Sequence, residues 1–104
     1  MIGENAMKDS ELIQKMHSGN KEAVSIIVER YYADIYRLCL YMVQTENDAY
    51  DIAQETFLKF MKYGTSYKHH NLKGYLLTIA RNICFNYFRD KKEKVAVIEK
   101  EEID

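Results

Sequence analysis

The chain has 104 residues, 47% of them hydrophobic, and a net charge of −1. Its length and hydrophobic content suffice for one domain with one core, and the chain is too short for two domains. No apolar run approaches the roughly 18 residues that span a membrane, and residues 1–8 lack the basic and then apolar order of a secretory signal. From these two features we expect a cytoplasmic protein. Because there is no proline and glycine is scarce, we expect an all-α fold with long helices and short turns.

Acidic and basic residues are concentrated in different segments of the chain. The net charge is −5 up to Leu58, +7 from Lys59 to Lys94 and −3 from Val95 to Asp104. The basic part can meet a polyanion, whereas the last segment has little hydrophobic periodicity. We therefore expect residues 1–94 to form the domain and residues 95–104 to be a frayed end or a linker.

A short first helix is predicted from about Ser10 to Ser18, with Asp9 or Ser10 as its N-cap and Gly19 as its stop. Its apolar residues occur at helical spacing and are expected to dock on the core. They are Leu12, Ile13 and Met16.

Asn20 is expected to cap a second, longer helix with one clean apolar stripe. The stripe consists of Val24, Ile27, Val28, Tyr31, Ile35, Leu38, Cys39 and Met42. Further apolar residues lie off this stripe, so the helix is either contacted on two sides, which we favour, or leaves aromatic surface for a partner. They are Ile26, Tyr32, Tyr36, Leu40, Tyr41 and Val43.

The third helix is expected to start near Thr45, which resembles a capping box with Asp48, and to end at Gly64. Its predicted core face consists of Ala49, Ile52, Ala53, Phe57, Phe60 and Met61. The opposite face begins with acidic and amide groups and ends with lysines, an order that also suits the helix macrodipole. By itself this pattern is compatible with an ordinary solvated face.

A polar and basic loop from Thr65 to Asn71 precedes the fourth helix, for which Asn71 is the expected cap. The core stripe is predicted to be Leu72, Tyr75, Leu76, Ile79, Ala80, Ile83, Cys84 and Tyr87. A second set mixes amides, cations and aromatic rings, which suits nucleic acid, although a solvated face is equally compatible. This set consists of Thr78, Asn82, Asn86 and Arg89, with Arg81, Phe85, Phe88 and Lys92 beside them.

The sequence offers no enzyme site, because it has no Ser/His/Asp set, phosphate loop or evident carboxylate pair, and we expect no cofactor. Cys39 and Cys84 lie in apolar stripes without metal-ligand spacing, so buried thiols are expected. His69 and His70 make a poor metal site, since zinc needs three or four converging ligands.

Three runs together carry a family resemblance. They are DAYDIAQETFLK from Asp48 to Lys59, GYLLTIARN from Gly74 to Asn82, and NYFR from Asn86 to Arg89. With the order of four helices from Ser10 to about Lys94, one short and three longer, the chain resembles region two of a bacterial sigma factor of the extracytoplasmic-function type. The resemblance implies a compact four-helix bundle that acts in transcription initiation.

In that family the third helix docks on a coiled coil of the beta-prime subunit of core RNA polymerase. The resemblance places Asp51, Gln54, Glu55 and Leu58 at this interface, with Asp48 and Lys59 at its edge. Carboxylates can form charge-assisted bonds with arginines, and Leu58 offers an apolar anchor among them.

The family's following loop and helix capture the separated strand of the minus-ten promoter element. The resemblance places Lys68, His69, His70, Asn71, Asn82 and Asn86 around a flipped-out base, and Lys73, Arg81, Arg89 and Lys92 on the DNA as further contacts. Such a base needs edge hydrogen bonds and a stacking wall. Tyr67 or Tyr75 can supply the wall, but Tyr75 is better explained by packing.

The resemblance also implies an anti-sigma factor as a partner, and a C-terminal helix-turn-helix domain after residues 95–104, which this chain does not contain. Two other functions compete with this one. A helical interaction module or anti-sigma-type regulator would bind proteins without binding DNA. A duplex-reading helix-turn-helix repressor is disfavoured, because the short helix, tight turn and recognition helix are missing from the pattern.

Overall fold

A computed structural model of the chain describes residues 7–64 and 71–103, with side chains up to residue 94. These residues form four helices: α1 (Asp9–His17), α2 (Lys21–Val43), α3 (Glu46–Tyr63) and α4 (Leu72–Ile103). The described parts contain no strand, so the predicted all-α fold with one short and three longer helices is confirmed.

Two of the predicted helix caps are present. The Oδ1 atom of Asn20 accepts from the amides of Glu22 at 2.9 Å and Ala23 at 3.3 Å at the start of α2. The Oδ1 atom of Asn71 accepts from the Gly74 amide at 2.9 Å at the start of α4. Both asparagines thus pair amides that have no partner within the helix.

The other two predicted caps are wrong in their details. Lys8 is the N-cap residue of α1, without a side-chain bond, because the Asp9 carboxylate instead joins Arg30 at 2.8 Å and Tyr31 on α2. Thr45 is the N-cap residue of α3 but forms no capping box. Its hydroxyl donates to the Asp48 carboxylate at 2.7 Å, so the side chain serves that carboxylate rather than a backbone amide.

Glycine ends two helices for different reasons. Gly19 follows α1 with φ of +90°, a conformation that strains other residues. Gly64 ends α3 with a right-handed conformation, but it is buried against Phe60, and an added Cβ would lie 2.9 Å from the ring. Gly64 is therefore required by close packing rather than by its backbone angle.

All four helices contribute to one hydrophobic core. Its buried members are Leu12, Ile13, Ala23, Ile27, Ile35, Cys39, Val43, Ala49, Ile52, Ala53, Phe57, Phe60, Leu72, Leu76, Ala80, Ile83 and Cys84. The predicted stripe of α4 is confirmed, with Tyr75, Ile79 and Tyr87 partly buried at its margins. The expectation that α2 is contacted on two sides also holds for most residues off its stripe, although Tyr41 is 81% exposed.

The core face of α3 differs from the prediction at two positions. Met61 is 46% exposed, because it lies at the edge of the face that α2 covers. Thr56 is fully buried instead, and its hydroxyl donates to the Ile52 carbonyl at 2.8 Å. That bond pairs the hydroxyl within its own helix and allows a polar residue in the core.

Cys39 of α2 and Cys84 of α4 are free, buried thiols, as expected. Burial raises the pKa of Cys39 to about 12, and the neighbouring Cys84 thiol adds to the rise. Burial also raises the pKa of Cys84. Since the thiolate is the reactive form of cysteine, both buried thiols are best explained as packing residues.

Helix α4 extends beyond the core. Among the residues whose side chains the structure describes, its last buried residue is Cys84, whereas the backbone stays helical to Ile103 and so includes residues 95–103, which were predicted to be a frayed end or a linker. At about 1.5 Å per residue this helix is roughly 48 Å long. In the described ranges, no helix contains an uncharged apolar stretch of membrane-spanning length.

Candidate protein and nucleic-acid interfaces

The exposed face of α3 is divided between two grooves. Gln54 and Leu58 line a groove shared with α2. The charged residues of the same predicted set, Asp48, Asp51, Glu55 and Lys59, line a groove shared with α4. The pattern that the sequence presents as one face therefore borders two surfaces of different chemistry.

The groove between α2 and α3 is mainly apolar and has a volume of about 580 Å³. Its lining residues are Val28, Tyr32, Tyr50, Gln54, Phe57, Leu58 and Met61. Leu58 is 63% exposed, and Tyr50 and Met61 are about half exposed. A cluster of exposed apolar side chains around a groove is typical of a surface that a partner covers.

Tyr50 and Met61 belong to this surface but were not among the predicted site residues. The Gln54 side-chain amide donates to the Tyr50 hydroxyl at 2.7 Å, which joins them along one side of the helix. Tyr50, Gln54, Leu58 and Met61 follow at steps of four, four and three. That spacing was the available signal, since it defines a second apolar stripe on α3.

The groove between α3 and α4 is polar and has a volume of about 440 Å³. Its lining residues are Asp48, Asp51, Ile52, Glu55, Lys59, Ile83, Asn86, Tyr87, Arg89 and Asp90. Glu55 pairs with Lys59 at 3.7 Å, and Arg89 with Asp90 at 3.9 Å. Exposed ion pairs of this kind contribute little to stability, so these charges are available to a partner.

Asp48 differs from the other acids of this groove, because its Oδ2 atom accepts two hydroxyl groups. Tyr87 of α4 donates at 2.7 Å, and Thr45 donates at 2.7 Å from the start of α3. The bond from Tyr87, followed by that from Thr45, lowers the pKa of Asp48. The hydrogen bond between Tyr87 and Asp48 also raises the pKa of Tyr87, since the tyrosine hydroxyl must stay protonated to donate.

The predicted DNA contacts on α4 lie at several places around the helix. Arg81, Asn82 and Lys92 are exposed, whereas Asn86 and Arg89 line the groove with the acids of α3. All five are exposed, and Asn82 and Asn86, four residues apart, lie beside each other on one face of α4.

Two predicted DNA contacts at the start of α4 already have partners. Lys73 lies 3.5 Å from Asp34 of α2, and the side chain of Asn71 caps the helix. Tyr75 packs against the core with its ring edge-on to Phe60, at 6.2 Å between centroids, which agrees with the packing role. Tyr67, Lys68, His69 and His70 lie outside the described residues.

Two phenylalanines on α4, which the sequence places beside the candidate nucleic-acid set, were not named among the predicted DNA contacts. Phe85 and Phe88 are 55% and 41% exposed, and with Arg81 and Lys92 they follow at steps of four, three and four. This spacing places the four residues on one face of the helix, away from the core stripe. Alternating cations and aromatic rings are a pattern suited to single-stranded nucleic acid.

Within the ranges that the structure describes, no three His, Cys, Asp or Glu residues are placed to hold a metal ion together. The acids of the α3–α4 groove are interspersed with Lys59 and Arg89. The chemistry of both grooves is therefore that of recognition by hydrogen bonds, charge and apolar contact.

Comparison with known proteins finds one matching family model and several related sigma factors. Residues 27–94 match the family model for sigma-70 region 2. The ECF RNA polymerase sigma factor SigM of Bacillus subtilis is 35% identical over 71 residues, which are 68% of this chain and 44% of the relative. The ECF RNA polymerase sigma factor BldN of Streptomyces coelicolor is 29% identical over 96 residues, covering 90% of this chain and 36% of the relative.

The ECF RNA polymerase sigma factor SigW of Bacillus subtilis is 31% identical over 81 residues, or 77% of this chain and 43% of the relative. The chain spans less than half the length of each of these relatives. No solved structure matches the chain significantly.

Proposed function

The chain belongs to the sigma-70 region 2 family, as region two of a sigma factor of the extracytoplasmic-function type, and from this premise we propose that it acts in transcription initiation. In this proposal α3 docks on the beta-prime coiled coil of core RNA polymerase, and α4 with the preceding loop holds the melted minus-ten strand. The chemistry of transcription belongs to the polymerase. An anti-sigma factor is a further proposed partner, as the family resemblance implies.

The observation that carries the docking proposal is the composition of the exposed side of α3. Asp51 and Glu55 are exposed on one flank, while Leu58 and Gln54 line the apolar groove on the other. A basic and apolar coiled coil fits this arrangement, because its arginines can pair with the carboxylates while an apolar side chain enters the groove. Tyr50 and Met61 extend the proposed docking surface.

The DNA-binding proposal rests on the exposed face of α4. Arg81 and Lys92 can hold phosphates, the Asn82 amide can form hydrogen bonds to a base edge, and Phe85 and Phe88 offer faces for stacking. Arg89 is less favourably placed for phosphate, because Asp90 and the carboxylates of α3 lie in the same groove. We therefore assign the phosphate contacts chiefly to Arg81 and Lys92.

The docking assignment is tested by capture of core polymerase with Asp51→Arg and Glu55→Arg variants. Each reversal should abolish capture, because a cation then opposes arginines, while the melting temperature stays nearly unchanged for exposed sites. Glu29→Arg is a matched control, since Glu29 is exposed on α2 and lines neither groove. Unchanged capture by both α3 variants would refute the assignment.

An interaction module without DNA binding is distinguished by base preference. The chain should bind single-stranded oligonucleotides with affinities that depend on single-base changes, and Asn82→Ala should alter that preference, since a good base contact discriminates by about 1–3 kcal/mol. Fluorescence anisotropy at low salt, over a panel varied one base at a time, measures this. Binding that is equal for all sequences and disappears with salt would indicate a merely cationic surface.

A further inference from the structure

The hydrogen bond between Asp48 and Tyr87 joins the first turn of α3 to the middle of α4, across 39 positions of sequence. Both groups line the polar groove between the two helices. The bond thus crosses the boundary between the helix assigned to polymerase docking and the helix assigned to DNA.

Tyr87 is the last contact of α4 with the core among the residues whose side chains are described. It is partly buried against the core, whereas residues 88–94 are exposed. Its ring also contacts Phe88 edge-on at 5.3 Å, and the Lys91 ammonium lies 5.7 Å from its centroid. Tyr87 therefore holds α4 to the rest of the domain near the end of the part of the helix that packs on the core, as far as side chains are described.

The carboxylate of Asp48 is held in place by two hydroxyl groups, one from each of the helices α3 and α4 or their caps. The Thr45 hydroxyl and the Tyr87 hydroxyl donate to the same carboxylate oxygen, each at 2.7 Å. Hydrogen bonds to a charged group are stronger than those between neutral groups. Asp51 and Glu55, one and two turns further along α3, are exposed, and Glu55 pairs with Lys59 of its own helix.

We propose that Asp48 is a positioning residue, which holds α4 against α3 through Tyr87 and so places Asn82 and Asn86 for DNA binding, rather than a contact to polymerase. The proposal rests on the proposed function and changes one residue of the predicted docking set. The lowered pKa of Asp48, caused first by the Tyr87 bond, agrees with a carboxylate that stays ionised within the fold.

The test compares Asp48→Ala, Asp48→Asn and Tyr87→Phe in the complete chain bound to core polymerase. Asparagine keeps an oxygen that can accept from Tyr87 and Thr45 but lacks the charge that a polymerase arginine requires. Phenylalanine keeps the ring packing and removes only the hydroxyl. Polymerase affinity is measured by titration, and base preference as the ratio of Kd values across single-stranded oligonucleotides varied one base at a time.

Asp48→Ala and Tyr87→Phe should each reduce base preference by about fivefold, the effect of losing one hydrogen bond, and change polymerase affinity less than about twofold. The double variant should be no worse than either single variant, because both changes remove the same bond. Asp48→Asn should retain most of the base preference and the polymerase affinity.

Two results would overturn the proposal. If Asp48→Ala and Asp48→Asn both weaken polymerase binding about tenfold while Tyr87→Phe does not, Asp48 is a direct docking contact. If Asp48→Ala and Tyr87→Phe lower the melting temperature without altering base preference, the bond is structural only. Failure of the proposed function itself is recognised separately, by normal polymerase capture with Asp51→Arg and Glu55→Arg.

Discussion

The two grooves that flank α3 differ in chemistry although they share one helix. The groove toward α2 is lined by aromatic and aliphatic side chains, including the exposed Leu58 and Met61. The groove toward α4 is lined by carboxylates, cations and an amide, and a hydrogen bond from Tyr87 spans it. The difference indicates that a partner docking on α3 gains apolar contact on one side and charge recognition on the other.

The largest expected effect is on stability, and it distinguishes the buried Phe57 at the floor of the apolar groove from the exposed Leu58 at its rim. Phe57 is 5% exposed and lies between the core and the groove, so Phe57→Ala should lower the free energy of unfolding by about 3 kcal/mol or more. Leu58→Ala, one residue further on, is the matched control and should change stability by no more than about 0.5 kcal/mol. Urea denaturation measures both, and a harmless Phe57→Ala would mean that the core face of α3 is assigned wrongly.

A second, smaller effect concerns polymerase affinity, whose dependence on salt should differ between variants of the apolar groove and of the polar groove. Leu58→Ala should weaken binding by about tenfold at any salt concentration, because the lost contact is apolar. Glu55→Gln should weaken binding at low salt and progressively less at high salt, because its contribution is electrostatic and screened. Titrations of core polymerase at several ionic strengths test this, and equal salt dependence of both variants would contradict the division into two chemistries.

The DNA face of α4 provides the third comparison. Arg81→Ala should weaken binding to all single-stranded sequences alike and reduce the salt slope by about 0.7, the value for one phosphate contact. Arg89→Ala should have a smaller effect, because this guanidinium pairs with Asp90 at 3.9 Å and lines the same groove as the acids of α3. Anisotropy at a series of salt concentrations measures the slopes. A larger effect at Arg89 would place the DNA in the groove between α3 and α4.

The smallest effect concerns the pH dependence of stability. Since the pKa of Asp48 is lowered in the fold, its contribution is present above the ordinary value of 3.8 and is lost as pH falls through the lower folded value. Tyr87→Phe removes the largest cause of this shift, so the stability advantage of the wild type over this variant should narrow as the pH is lowered from about 6 to 3.

Urea denaturation at each pH measures the narrowing, with the exposed Tyr41→Phe as a control whose difference from wild type should stay constant. Several charged groups face Asp48 in the groove or act on its titration, and both proteins share them: Asp51, Glu55, Lys59, Arg89, Asp90 and Lys91. A constant difference between wild type and Tyr87→Phe would show that the bond does not favour the ionised carboxylate.

Much of the fold was predictable because its signals are local. The Asn20 and Asn71 caps are confirmed, since a cap bonds amides two or three residues away. The errors at Asp9 and Thr45 have one cause, because each side chain interacts with another side chain instead of a backbone amide. Asp9 pairs with Arg30 on α2, and the Thr45 hydroxyl donates to the Asp48 carboxylate.

The candidate site was predictable in part. The exposed positions of Asp51, Gln54, Glu55 and Leu58 are confirmed, because the helical period separates them from the core stripe. Their roles and those of the predicted DNA contacts stay predictions. Met61 was missed because an apolar residue at helical spacing is most readily assigned to the core, and Tyr50 was assigned to neither face of α3. Phe85 and Phe88 were placed beside the candidate nucleic-acid set but were not named as DNA contacts.

The sequence by itself determined the four helices, most of the core face of each and the separation of acidic from basic charge, because the 3.6-residue period and the helix caps depend on neighbouring residues. Only the tertiary structure decided that Met61 is exposed and Thr56 buried, and that α3 borders one apolar and one polar groove. Only it joined Asp48 to Tyr87. These features depend on where α2 and α4 lie against α3, and residues far apart in sequence meet only after the helices have packed.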